Sequence, residues 1–377
     1  MDKIRFDDFV KLNRGFDLPD SQIISGLYPV VASTNIKAYH NEYKVVGPMV
    51  VTGRSGSLGK VQYIESNGWP LNTSLYVKDF KGNIPRYVYY YLQTMHLEQF
   101  NAGAGVPTLN QNHLHSLKIL VHPKDKQSKI ASILSAYDSL IENNTKRIRL
   151  LEQMAENLYK EWFVRFRFPG HENTEFVDGL PKGWKIEKIE SLCDTIGGGT
   201  PSTEKPEFWG GNIKWVTPSD ITSKSSLPLL NIEGRITEEG LNKSSAKLLP
   251  AYSILMTSRA SIGFFGIAPE PVCTNQGFIA MIPNKDFLRM YILYVLKARR
   301  EEIIANANGA TFLEISKGRF RKMKMVVPTS DLLEKFELEC KHIFNLVLTL
   351  ERQSALLIRQ RDLLLPRLMS GKLEVKA

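Results

Sequence analysis

The sequence predicts an α+β chain built twice over, in which two compact domains alternate with two long helical rods. Three observations carry this. One element recurs, two segments of about 40 residues each hold an apolar seam, and the stretches between them are rich in short β-type runs broken by Gly, Pro and Asn.

The recurrence is direct. "GAGVPTLNQNHLHSLKI" from Gly103 and "GATFLEISKGRFRKMKM" from Gly309 can be laid together without a gap, an offset of 206 (103 to 309). Gly-Ala meets Gly-Ala, Leu109 meets Ile315, Leu114 meets Phe320, and Leu117-Lys118-Ile119 meets Met323-Lys324-Met325. Self-similarity of this kind is read before any local motif, because it decides the plan of the fold.

The rods follow. From residue 126 to about 167 there is no Gly or Pro until Pro169-Gly170. Leu134, Tyr137, Ile141, Asn144, Ile148, Leu151, Ala155, Leu158 and Trp162 alternate steps of three and four. That spacing predicts one helix roughly 60 Å long, longer than a domain of this size can bury. At the same offset, Cys340, Ile343, Val347, Leu350, Ser354, Leu357, Arg361 and Leu364 form a second seam, predicted to stop near Pro366. Two such rods most simply bury their seams against each other. Asn144, Ser354 and Arg361 interrupt the seams and are expected to fix the register at some cost in stability. The boundaries expected are a first domain over 1–124, a helix over 125–168, a second domain with its linker over 169–328, and a helix with tail over 329–377.

Weaker parallels link the two domains. "YPVVASTNI" resembles "IKWVTPSDI", and "VVTGRSG" resembles "LMTSRAS", which sets Arg54 beside Arg259. "PLNTSLYV" resembles "VCTNQGFIA", with Asn72 near Asn275.

Composition bounds the function. Apolar content of 43% and charged content of 23% suit a globular protein. A net charge of +10 favours an anionic partner, nucleic acid first among them. Cys193, Cys273 and Cys340 form no CxxC pair and no signal-peptide pattern opens the sequence, so a reducing cytoplasm is expected. No apolar run nears the ~20 residues of a membrane-spanning helix.

Catalytic machinery is hard to find. "GRSGSLGKV" fails as a P-loop because Val61 follows Lys60 where Ser or Thr should hold magnesium. "IGGGTP" is no dinucleotide fingerprint and reads as a flexible loop. No Pro-Pro dipeptide occurs, so the Asn/Asp-Pro-Pro-aromatic pocket of amino-methylating enzymes is absent. Asp20, Glu42 and Lys44 mimic a magnesium nuclease set, against a plainer reading as a surface turn and a charged strand. His113, His115 and His122 lack the partners of a metal site.

What remains suits DNA. Arg54 and Arg259 each leave an apolar run and enter a small-residue turn, with Ser55, Ser57 and Lys60 following the first and Ser261 the second. Arg reads guanine in bidentate fashion, while Asn and Gln can read adenine. Asn72, Asn275 and Gln276 supply amides after comparable strands, and Asn110, Gln111 and Asn112 add three more. The counterpart of that last trio is cationic, with Lys317, Arg319 and Arg321. Lysines are expected on phosphates and the arginines and amides on base edges.

With these motifs in order, and with "LPKGWKIEKIESL" opening the second domain and "LLLPRLMSGKL" closing the chain, the sequence resembles the DNA-specificity subunits of type I restriction–modification systems. The likeness runs over essentially the whole chain. It implies two mixed α/β target-recognition domains separated by two long antiparallel helices forming a coiled coil, with an internal pseudo-two-fold repeat. Each domain would read one half of a split, asymmetric site in double-stranded DNA. It also implies a non-catalytic, cytoplasmic host-defence subunit bound to two methyltransferase subunits and to restriction/translocase subunits. S-adenosylmethionine, ATP and Mg would sit on those partners, with none of them and no metal in this chain. By the same resemblance, Trp162 and Phe163 would help dock the methyltransferase. A rod of ~60 Å spans about 18 base pairs, enough for two short half-sites and a gap. The competing expectations are a magnesium nuclease and a non-specific DNA-binding coiled-coil scaffold.

Overall fold

The computed structural model describes residues 1–224, 226–309 and 313–375, so the repeat pairing at Ala310 lies outside the described residues. The chain forms two compact units, Met1–Ile141 with Leu356–Ala377, and Glu142–Ala355. Each long helix contributes to both.

The first long helix spans Lys124–Tyr159 and continues as a π-helical turn, Lys160–Val164. Arg165 N–H donates to the Lys160 carbonyl at 2.9 Å, the wider spacing that defines this turn. Within it, Trp162 and Phe163 stand against Phe336, at 5.8 and 4.9 Å between rings. The second long helix spans Ser330–Met369 with Pro366 inside it, which corrects the expected stop. A missing N–H removes one helical hydrogen bond, but Leu368 and Met369 are 2% and 4% exposed and belong to the core of the first unit. His122 Nε2 also sits 2.9 Å from the Leu368 carbonyl, holding that last turn down.

The seams meet as expected. In the second unit Ile148 packs with Val347 and Leu350, flanked by Leu151 and Ile343. Asn144 Nδ2 donates to Ser354 Oγ at 3.3 Å, so numbers rise along one helix as they fall along the other. In the first unit Arg361 Nη1 donates to Asp138 Oδ1 at 2.8 Å, and Tyr90 Oη donates to the same carboxylate. The polar residues that break the seams are thus paired, each within one unit.

Apart from a short hairpin of Phe176–Val177 with Leu180–Pro181 in the second, the domains repeat strand for strand. In the first, Asp2–Arg5 pairs antiparallel with Lys118–Val121; in the second, Lys185–Lys188 pairs with Lys324–Val327. Four-stranded sheets run Lys11–Arg14, Ser74–Asp79, Met49–Gly53, Val61–Ile64 and, correspondingly, Cys193–Gly197, Phe278–Pro283, Ile254–Thr257, Phe265–Ile267. Each domain adds a three-stranded sheet holding one parallel pair, Val30 with Trp69 and Trp215 with Cys273. The strands Met49–Gly53 and Ile254–Thr257 are buried throughout because both faces are covered. Val50 joins the core formed with Tyr87 and Leu114, while its neighbours Met49 and Val51 join a second cluster with Val31. Met256 and Leu255 divide in the same way, as the two-residue period of a strand requires.

Phe336, wholly buried among Trp162, Phe163 and Tyr294, tests the helix pair. Phe336→Ala is expected to lower the unfolding free energy by about 3–5 kcal/mol in a urea titration. Asn144→Leu should be neutral or stabilising while weakening register; a loss below about 1 kcal/mol for Phe336→Ala would mean that this packing contributes little.

Candidate nucleic-acid interface

In each domain a central strand ends in a loop that is pinned by the backbone on both sides. Arg54 N–H donates to the Thr73 carbonyl at 2.8 Å, and its own carbonyl accepts from Leu109 N–H at 2.8 Å. In the second unit Ser258 takes this place, donating to Gly277 at 2.8 Å and accepting from Ile315 at 3.0 Å. Ser55 bridges Thr108 just as Arg259 bridges Glu314. The frame therefore matches Arg54 with Ser258 and Ser55 with Arg259, a correction of one residue to the pairing expected of the two arginines. A slip of one position in an extended chain redirects the side chain. The turn that follows has positive φ in both copies, 86° at Gly56 and 59° at Ala260. Glycine announces that conformation in sequence; alanine does not.

Leu109 and Ile315 are each 1% exposed, and two residues later a short helix begins in both units. Asn110 caps Gln111–Ser116 by accepting from Asn112 N–H, and Ser316 caps Lys317–Lys322 by accepting from Arg319 N–H. The buried Leu114 and Phe320 anchor the two helices. Asn110 is thus partly spent on capping, whereas Gln111 and Asn112 are left for other contacts.

The structure gathers the anticipated residues into two clefts, one per unit. In the first, a cleft of about 450 Å³ is lined by Arg14, Arg54, Asn110, Gln111 and Asn112. In the second, one of about 290 Å³ is lined by Pro218, Arg259, Ser261, Asn275 and Gln276. Ser57 and Lys60 stay exposed on the loop beyond Arg54, while Ser55 is half-buried and Asn72 donates to Asp17 outside the cleft. Asn275 Oδ1 accepts from Gly277 N–H at 2.9 Å, and Gln276 Oε1 accepts from Thr200 Oγ1 at 2.6 Å. Lys317 and Arg319 are exposed, Arg319 donating to Asn308 Oδ1 at 3.0 Å. Arg321 turns inward and donates to the Thr195 carbonyl at 2.6 Å. Phe163 is 8% exposed inside the second unit, and Trp162 is half-buried beside it.

Sequence reasoning missed Arg14 and Glu314. Arg14 ends a strand whose repeat partner is Gly197, within "IGGGTP", so no parallel drew attention to it. That glycine run is packed rather than loose. A Cβ on Gly198 would stand 2.1 Å from the Asn275 carbonyl oxygen, and one on Gly199 would stand 2.2 Å from Ser245 Oγ. Glu314 Oε2 lies 3.9 Å from Arg259 Nε, across the isolated bridge that joins the two residues.

Two residues of the set suggesting a nuclease, Asp20 and Lys44, are engaged otherwise. Asp20 pairs with Lys37, and Lys44 Nζ lies 4.7 Å from the centre of the Trp69 ring. Among the described residues no three His, Cys, Asp or Glu side chains gather as for a metal. Burial pushes the Cys273 thiol up to about 11 and the Cys193 thiol up to about 12, far from the range of an activated nucleophile.

His115 and Arg321 occupy the same place in the repeat. His115 Nε2 accepts from Leu12 N–H at 3.0 Å, and Arg321 grips Thr195, so each ties the short helix to the first strand of its sheet. To accept, Nε2 must be unprotonated. Burial lowers the His115 pKa, with Lys11 acting the same way and Asp7 opposing. A depressed folded pKa leaves this tie intact above the unfolded value of about 6.5, and it weakens as pH falls below that. Hydrogen exchange at Leu12 and residues 111–116, corrected for intrinsic pH dependence, is expected to speed up between pH 7 and 5. His115→Gln, which retains an acceptor, should flatten the effect; an unchanged profile in the wild-type protein would refute the tie.

Among the described residues no helix is long and apolar enough to cross a membrane. The family model described as the type I restriction modification DNA specificity domain matches residues 1–153 and again 181–332. The specificity subunit of the HindI enzyme of Haemophilus influenzae is 24% identical over 330 residues, 71% of each chain. That of MjaVIII from Methanocaldococcus jannaschii is 21% identical over 99% of this chain and 93% of its own. The MjaIX subunit of the same organism is 30% identical over 198 residues, and this chain spans 46% of that relative's length. The crystal structure of the type I restriction–modification S subunit from M. genitalium superposes with a TM-score of 0.66 at 15% identity, covering 100% of this chain and 96% of that one. With the repeated element plan and both copies matched over most of its length, the chain belongs to the type I restriction–modification DNA specificity family.

Proposed function

We propose that this chain is the sequence-reading subunit of a type I restriction–modification complex. Residues 1–124 and 169–328 act as two target-recognition domains, and the helical segments 125–168 and 329–377 join them. Each domain reads one half of a bipartite, asymmetric site in double-stranded DNA. The subunit is non-catalytic and works in the cytoplasm; S-adenosylmethionine, ATP and Mg act on its methyltransferase and restriction partners. The observation that carries this reading is a single frame made twice with different polar side chains in its clefts. Such a device suits reading two unlike sequences with one architecture. The charge of +10 supports an anionic partner as well.

The helices support docking of two copies of one partner. Leu140 and Leu346, equivalent in the repeat, are both 51% exposed, and the equivalent pair Leu150 and Leu356 are 54% and 58% exposed. Each unit holds one member of each pair, so an identical apolar footing is offered twice. Large apolar side chains repeated on a surface mark association sites.

Purified alone, the chain is expected to show no methylation, ATPase or cleavage activity. Produced with its methyltransferase partner, it should direct adenine methylation to a two-part motif. Exchanging residues 174–328 for those of a homologue should alter one half of that motif only; an unaltered motif would contradict modular reading. Leu346→Asp should reduce the partner count from two to one in native mass spectrometry while DNA binding persists. Retention of both copies would show that these leucines take no part in docking.

A further inference from the structure

The two clefts open on different flanks of the shared frame. In the first unit the cleft lies towards the short helix, between Arg14, Arg54 and Gln111. In the second it lies towards the three-stranded sheet, between Pro218, Arg259 and Gln276. The one-residue offset of the arginines is part of the cause, since Ser258 in the place of Arg54 is only 2% exposed.

The rest of the cause is what closes each opposite flank. Two residues beyond the parallel strand, the first unit has Ser33 and the second has Pro218. Ser33 Oγ donates to the Thr73 carbonyl at 2.8 Å and lies 3.3 Å from that of Ser55, drawing the two loops together. Proline offers no such donor. Pro218 instead begins the short helix Pro218–Thr222, capped by Thr217, and its ring lines the opening. On the other flank, Arg14 ends its strand opposite Leu75. The equivalent Gly197 has no side chain, and Lys317 Nζ lies 3.2 Å from where its Cβ would stand. A lysine thus covers in one unit the flank that an arginine edges in the other.

One polar atom in the first cleft has no use within the fold. Gln111 Oε1 is buried without a hydrogen-bond partner among the described residues. Such an atom is costly unless something satisfies it, and once the side chain turns into the cleft an adenine N6 amino group is the donor that a glutamine pairs with.

Building on the DNA-reading function proposed above, we propose that the two domains read DNA from opposite flanks of one frame. The first uses the helix flank, with Arg14, Arg54 and Gln111 as its specificity-determining residues. The second uses the sheet flank, with Arg259, Ser261 and Gln276. Arg14 and Arg54 present guanidinium forks suited to guanine, and Gln111 presents an amide suited to adenine.

The experiment co-produces the chain with its methyltransferase subunits in cells free of other adenine methylation and maps the methylated adenines. Arg14→Ala, Arg54→Lys and Gln111→Leu should each loosen a base position in the same half of the motif, discrimination falling roughly 10- to 100-fold. Arg54→Lys retains the charge and loses only the fork, which separates base reading from phosphate attraction. Asn72→Ala, which keeps the main-chain carbonyl that accepts from Arg54 Nη1 at 3.4 Å, should leave that half intact. Arg259→Lys and Gln276→Ala should loosen the other half, whereas Lys317→Ala should weaken methylation uniformly. Melting curves confirm that each variant is folded. If Asn72→Ala loosens the first half while the helix-flank variants do not, or if neither set changes the motif, the assignment of flanks is overturned. A wild-type chain that yields no two-part motif would overturn the proposed function instead.

Discussion

A helix of 36 or 40 residues with an apolar stripe draws most of its stability from packing that stripe, since its own hydrogen bonds contribute little beyond the entropy of ordering it. Burial of that stripe against a second helix is the constraint on which the rest depends. Each seam is apolar for most of its length and polar at a few chosen points. Asn144 meets Ser354 in one unit, and Arg361 meets Asp138 in the other. Such pairs contribute little net stability compared with leucine, yet any shift in register would leave them buried and unpaired. They make one alignment of the helices much better than its neighbours. The first domain runs into the first long helix, and the second runs from that helix into the other.

Within each domain the same economy of plan holds. A central strand covered on both faces supplies rigidity, and variation is confined to its end, where the chain leaves the sheet. Backbone hydrogen bonds at Arg54 and Ser258 hold that end in one shape whatever the side chain. The residues that differ between the copies then change the chemistry without disturbing the scaffold. Ser33 against Pro218, Arg14 against Gly197 and His115 against Arg321 are such exchanges. Each alters a local tie or opening while the strands keep their order.

Much of the plan is legible in the sequence. The 206-residue offset from Gly103 to Gly309 and the unbroken seam from Leu134 to Trp162 reflect periodicities that a chain cannot hide. Three features were misread, each for a local reason. Pro366 signals a helix end only when nothing beyond it needs the helix, and here Leu368 and Met369 are core residues. "IGGGTP" looks loose because glycines lack side chains, yet Gly198 and Gly199 are small so that neighbouring backbone can approach. Arg54 and Arg259 looked equivalent because both follow a similar apolar run. The hydrogen-bonded register, which composition does not reveal, places them one residue apart.

By itself the sequence determined duplication, the two rods, the alternation of strands and the polar residue types available at the loop ends, since all of these are one-dimensional patterns. Only the tertiary structure decided which of those residues share a cleft. Arg14 lies 40 residues before Arg54 and 97 before Gln111 (14, 54 and 111), and no spacing rule joins them. Sheet register and the packing of a short capped helix bring them together, and those depend on contacts made across the whole domain.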